Sequence, residues 1–305
     1  MSLPFLQSYL GLSYSLQTAQ ASGSDSSATR GVFGGGYTTT FTNTIEYITI
    51  ATTGNATDFG DRTESKHSIT AVSSDTRGVF GGGSGPDSNV MDYITIATPG
   101  NATDFGDLVS ARYGLAGCNS LTRGVFAGGG EPAENVMEYI TIATTGNTTD
   151  FGDLTTATYY LAGVNSSTRG VFGGGYTTTT VNTIEYITIA TTGNATDFGD
   201  LTTSRYSVTG CNSASRGVFA GGVGSNVMDY ITIATTGNAT DFGDLTTSRY
   251  GVAGVNSSTR GVFGGGATPS SNVMEYITIA TTGNATDFGD LTTATHGMGG
   301  LQNGL

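Results

Sequence analysis

Six near-copies of one unit follow each other along this chain, and that repetition constrains the fold more than any single residue does. The string Arg-Gly-Val-Phe begins at Arg30, Arg77, Arg123, Arg169, Arg216 and Arg260, at intervals of 47, 46, 46, 47 and 44 residues. A second string, Glu/Asp-Tyr-Ile-Thr-Ile-Ala-Thr, has its tyrosine at Tyr47, Tyr93, Tyr139, Tyr186, Tyr230 and Tyr276. A third, Asp-Phe-Gly-Asp, starts at Asp58, Asp104, Asp150, Asp197, Asp241 and Asp287.

Each unit reads as four short strands, a to d, separated by turn residues. In the last full unit the strands are expected at 250–256, 260–266, 273–281 and 285–291. The third is β-branched and alternating, and the turn after it is Thr-Gly-Asn, whose Gly and Asn tolerate positive φ. No segment carries an apolar stripe at helical period. Four strands in about 45 residues is the signature of a propeller blade. The expected fold is therefore all-β: a six-bladed β-propeller of four-stranded antiparallel blades.

The length differences between units fall in the b–c loop alone, which spans 37–42, 84–88, 130–134, 176–181, 223–225 and 267–271. The ends of the chain show how the ring closes. Strand a carries a small apolar residue five positions before the arginine: Val72, Cys118, Val164, Cys211 and Val255. Ahead of Arg30 that slot holds Asp25, so the first blade lacks its own strand a. The missing strand is at the other end, where 296–302 aligns with 250–256 and Leu301 fills the slot. Closure by the C-terminal strand pairing in blade 1 hides both free edges. The domain reading is an N-terminal apolar arm, 1–25, followed by the propeller, 26–305.

The net charge of −13 disfavours nucleic-acid partners. No run approaches the roughly 18 apolar residues of a membrane span, and the N-terminus lacks the basic region of a secretory signal. Two cysteines make no disulfide framework. Cys118 and Cys211 share a slot with Val and Leu, so both are expected as small buried hydrophobes.

Strand b ending in Gly264-Gly265, then Tyr276, an aromatic Phe288 a dozen residues on, and Arg249 ahead of the blade together resemble the kelch repeat. The resemblance covers 27–305, with Phe where kelch repeats usually carry Trp and no basic residue at Thr158 or Thr295. The longer string GVFGGG…EYITIATTGNATDFGDL is similar to repeats in tail-fibre and other virion proteins of marine phages. That likeness implies a structural or adhesion module located on a virion, with no enzymatic activity and no cofactor.

Loops on a rigid scaffold commonly carry recognition. The b–c loops offer Tyr37, Thr39, Phe41, Tyr176 and Thr178, with acidic Asp87, Glu131 and Glu134. Exposed Tyr, Phe and Thr stack and hydrogen-bond as paratope residues do, which suits a glycan or receptor; drift in unconstrained loops is the alternative. An aromatic slot opens strand a in every blade: His67, Tyr113, Tyr159, Tyr206, Tyr250 and His296. Because strand a is innermost in a propeller, these residues form either a ligand-stacking ring at the channel mouth or packing between blades. His67 and His296 become neighbours on closure, but no third metal ligand is evident, so no metal is expected. The Asp-Phe-Gly-Asp carboxylates read as structural turn residues rather than a Ca²⁺ site. The six Asn-X-Thr sequons, from Asn55 onwards, likewise read as turns.

In the arm, Leu3, Phe5, Leu6, Tyr9, Leu10, Leu12, Tyr14 and Leu16 make an apolar surface that needs a partner. It is expected to dock on another virion subunit, in an assembly of several copies, or else to fold back on blade 1. A free-standing lectin-like or scaffold propeller of cellular origin is the second functional reading. A galactose-oxidase-type enzyme is the third, and it lacks the His, Tyr and Cys constellation that its copper chemistry needs.

Overall fold

The computed structural model describes residues 29–303, and the arm reading for 1–25 lies outside them. Twenty-four strands, β1 to β24 in chain order, form six four-stranded antiparallel sheets, with no helix among the described residues. Blade 1 runs β24 (Gly299–Gln302), β1 (Arg30–Gly34), β2 (Thr44–Thr49), β3 (Thr57–Asp61); each later blade is four consecutive strands. The C-terminal strand thus closes the ring, with Val32 opposite Leu301 and Phe33 opposite Gly300. Asn303 extends the seam: its Oδ1 accepts from the Arg30 N–H at 2.6 Å, and its own N–H donates to the Arg30 carbonyl.

The strands are shorter than the sequence suggests. Strand a of blade 6 is Ala253–Asn256 rather than 250–256, and strand b stops at Gly264. Gly265 and Gly266 follow it at φ of 70° and 111°, which breaks the ladder. Strand a starts late for a related reason: the residue after each aromatic slot is left-handed. Five of these residues are small (Ser68, Gly114, Ser207, Gly251, Gly297) and the sixth is Tyr160, at φ 57°. The left-handed turn directs each amide at the neighbouring blade. Ser68 N–H donates to Gly297 O, Gly114 to Ser68, Tyr160 to Gly114, Ser207 to Tyr160, Gly251 to Ser207 and Gly297 to Gly251, at 2.7–3.4 Å. These links make a closed circle of hydrogen bonds around the channel, and Gly297 of the C-terminal segment supplies two of them.

Further along, neighbouring inner strands nearly touch. A Cβ on Gly163 would stand 2.1 Å from the Gly117 carbonyl oxygen, and one on Gly210 would stand 2.5 Å from that of Gly163. Backbone cannot yield as a flexible side chain does, so Gly163→Ala is expected to destabilise the fold by about 1–3 kcal/mol or more. Urea unfolding measures it; an unchanged midpoint would show that the inner strands are not this close. Past these glycines, Asn119, Asn165, Asn212, Asn256 and Gln302 each accept a hydrogen bond from the preceding blade's backbone, at 3.0–3.3 Å.

The repeat strings are inter-blade fasteners. Arg30 lies 4.2 Å over the Tyr47 ring of its own blade and donates to Ile96 O of the next at 2.8 Å. The arrangement recurs around the ring to Arg260, which stacks on Tyr276 and reaches back to Ile50 O at 3.0 Å. The Asn of each c–d turn is a second fastener. Asn101 Oδ1 accepts from Asp61 N–H at 3.1 Å, and Asn55 Oδ1 closes the set from Asp290. None of these asparagines takes up the positive φ that the residue type tolerates. Between blades the apolar residues of two neighbours merge, as where Val79 and Met91 of blade 2 meet Phe126 and Ile140 of blade 3. Cys118 and Cys211 are free and buried in such layers, and burial pushes both thiols up.

Candidate functional site

The d–a connections and the b–c loops come together on one face. Single antiparallel bridges join His67 to Ser84, Tyr159 to Tyr176, Tyr250 to Ala267 and Tyr37 to His296. The last is a mutual pair, Tyr37 N–H to His296 O at 2.9 Å and His296 N–H to Tyr37 O at 3.1 Å. The aromatic slot therefore lies in the d–a connection, ahead of strand a rather than within it. The loop residues and the slot residues, read from sequence as two sites, form one surface.

Two clusters of rings face each other there. On one side Tyr37 meets Phe41 at 5.4 Å, His296 at 5.4 Å and His67 at 6.0 Å, and Tyr250 meets His296 at 6.2 Å. On the other, Tyr159, Tyr176 and Tyr206 contact in series at 5.6 and 5.3 Å, with Tyr113 6.3 Å from Tyr159. Tyr160 joins this second cluster, 5.0 Å from Tyr159 and 5.8 Å from Tyr113. A cavity of about 310 Å³ lies between, lined by His67, Tyr160, Tyr250 and His296 with the left-handed circle and the apolar residues that follow it. Phe41, Thr39 and Thr178 are exposed on the loops.

The acidic candidates divide. Glu131 accepts a hydrogen bond from the Tyr113 hydroxyl at the rim, and Asp87 is exposed and accepts from Ser84 Oγ at 3.3 Å. Glu134 sits lower, 3.6 Å from Arg112. Burial, then the bond to Glu131, pushes the Tyr113 phenol up. Among the described residues no group of three or more His, Cys, Asp or Glu is placed to hold a metal.

His296 is held below the usual 6.5, by burial first and by His67 second. A histidine whose folded pKa is depressed contributes stability that is fully present above its unfolded pKa and is lost as pH falls from there through the lower folded pKa. Thermal unfolding between about pH 7 and pH 5 should therefore show His296→Asn losing less stability on acidification than the parent. Parallel profiles would remove His296 from the account of the mouth.

Beneath the loops lies a layer that the motif reading passed over. The acid before each strand-c tyrosine points inward: Glu46, Asp92, Glu138, Glu185, Asp229 and Glu275 are all at most 6% exposed. Four are paired with buried arginines, Asp92 with Arg62 at 3.0 Å, Glu138 with Arg112, Asp229 with Arg205 at 2.6 Å and Glu275 with Arg249 at 2.7 Å. Arg112, Arg205 and Arg249 come from the residue before the aromatic slot and also grip the b–c loop base, as in Arg249 to Gly265 O at 2.7 Å and to Val273 O at 2.9 Å. The signal was present in the sequence as Thr158 and Thr295, the two departures from a basic slot. They precede blades 4 and 1, whose acids, Glu185 and Glu46, keep the threonine partner that Asp92, Asp229 and Glu275 also have but lack the arginine.

Compared with known proteins, the chain is matched by no family model and by no curated protein.

Proposed function

We propose that this chain is a non-enzymatic adhesion module of a virion, with the propeller mouth binding a host-surface glycan or receptor and the 1–25 arm docking on another virion subunit. The observation that carries the reading is the convergence of ten aromatic and imidazole rings, from both the loops and the d–a connections, on one face, where four of them, His67, Tyr160, Tyr250 and His296, line a cavity. Flat rings stack on the C–H faces of a sugar, and tyrosine and threonine hydroxyls bond its oxygens at low entropic cost. The loops that bring Tyr37 and Tyr176 belong to blades 1 and 4, opposite each other, so they frame a ligand from both sides. The likeness to kelch-type repeats of phage virion proteins and the apolar arm support the virion setting. The acidic charge argues against nucleic acid as the partner. Several copies in an assembly would add avidity to a shallow site.

A glycan array probed with the full chain tests the reading. Binding to a defined glycan class is expected, with Tyr37→Ala and Tyr176→Ala each weakening it at least about tenfold. No bound glycan, or binding indifferent to both substitutions, would count against the mouth as the site.

A further inference from the structure

The basic slot gives a comparison within one molecule. In blades 3, 5 and 6 the guanidinium of Arg112, Arg205 or Arg249 occupies one position: beside the strand-c carboxylate and against two carbonyls of the b–c loop base. Arg112 Nη1 donates to Gly128 O at 2.9 Å and Val136 O at 3.3 Å, and Arg205 Nη1 to Gly221 O at 2.8 Å and to Val227 O. In blade 4 (residues 162–200) Thr158 stands in the arginine's place while Glu185 keeps the acid's place. The Thr158 hydroxyl turns away to its own connection, donating to Thr156 O at 3.0 Å. Glu185 is bonded by the Thr155 N–H at 2.9 Å and by the Thr155 hydroxyl, and by no cationic side chain among the described residues.

The vacated volume is not filled by neighbours. A cavity of about 50 Å³ remains, lined by Glu185, Thr158, Thr183, Gly174 and Thr177 with apolar walls. Gly174 and Thr183 correspond in the repeat to the two residues whose carbonyls receive the guanidinium in the sister blades. The polar groups in the lining are therefore a carboxylate, hydroxyls and backbone amides, with no imidazole or thiolate. The volume holds an ion with a water or two.

We propose that this cavity is a binding site for one small hard monovalent cation, which supplies in blade 4 the positive charge that arginine supplies in blades 3, 5 and 6. An all-oxygen donor set selects hard cations. A single carboxylate is neutralised by a single charge, and a buried carboxylate without that charge bears a desolvation cost. The same burial raises the Glu185 carboxyl above its ordinary value. Thr177 belongs to the 176–181 loop, so the ion ties down the base of the loop that carries Tyr176, as the guanidinium does elsewhere. The site is separate from the aromatic mouth, and the inference stands whether or not a glycan binds there.

Thermal unfolding of the full chain in sodium, potassium and choline chloride at equal ionic strength tests the proposal, choline being too large for the cavity. The melting temperature is expected to be higher in sodium or potassium and to climb with the logarithm of that ion's concentration, as for any ligand of the native state. Thr158→Arg, which restores the guanidinium, and Glu185→Gln, which removes the charge, should each reduce this response by at least half. Any remainder is expected to vanish on adding Thr295→Arg, since Glu46 lacks its arginine in the same way. Equal melting temperatures in all three salts would mean that only water occupies the cavity. A cation response unchanged in both Thr158→Arg and Glu185→Gln would place the ion elsewhere. Either result overturns the assignment.

Discussion

A chain ending at Thr295 is expected to lose the closed ring and to assemble through an exposed strand edge. The deletion removes β24, leaving the Gly31–Gly34 stretch of β1 unpaired on its channel side. It also withdraws Leu301 and Met298, 1% and 8% exposed, from two inter-blade clusters. Losing one buried Leu or Met side chain costs about 2–5 kcal/mol, and whole domains are stable by only about 5–15 kcal/mol. Added to this are both Gly297 links of the hydrogen-bond circle, the Gln302 acceptor for Asn256 and the Asn303 seam. The apolar, glycine-rich edge so exposed is a template for pairing with another chain. Light scattering should find large or swapped species, and the melt should broaden or disappear. A monodisperse product melting like the parent would mean that β24 contributes little.

Arg205→Met is expected to cost about 3–5 kcal/mol, far more than a typical surface substitution, because it strands a charge. The Asp229 carboxylate is fully buried 2.6 Å from the guanidinium, and the Thr202 hydroxyl remains as a neutral partner. The Gly221 carbonyl loses its donor as well, and Val227 O keeps only the Gly221 N–H. Burial holds the Arg205 pKa below its ordinary value, which shows the cost of keeping this charge inside. The pair need not be net stabilising: replacing both partners with apolar residues of similar volume, as in Arg205→Met with Asp229→Leu, should recover most of the loss. Urea denaturation of the three proteins gives the comparison. A double variant no better than Arg205→Met would mean that the damage lies in the loop contacts rather than in the stranded carboxylate.

What the sequence revealed and what it hid divide along a physical line. Periodicity within a unit reports which residues alternate toward a core, so the four strands, the Val/Cys slot and the placement of Leu301 in it were legible. So was the aromatic slot, as a recurring residue type. Periodicity does not report which neighbouring blade a side chain reaches. Asn55 and its counterparts therefore read as turn formers, although each serves the outer strand of the preceding blade. The strand-c acids drew no reading of their own, because their partners come from a connection some 24 residues away in sequence, as in Arg205 to Asp229. Tyr160 was missed for a further reason. Its slot holds serine or glycine in the other five blades, and only the left-handed backbone there explains both the small residues and the direction of the one large ring. The union of the loops with the slot residues in one mouth depends on strand a starting late, which the expected bounds at 250–256 had obscured.

Amide hydrogen exchange on the intact chain tests ring closure most directly. Amides of β24 are expected to exchange as slowly as those of β4 (Thr70–Ser73) and β8 (Ala116–Asn119), the inner strands of blades 2 and 3, because all three occupy the same position in a closed ring. Rapid exchange confined to β24 and to the face of β1 it covers, with β4 and β8 protected, would contradict it: the ring would then be open at blade 1.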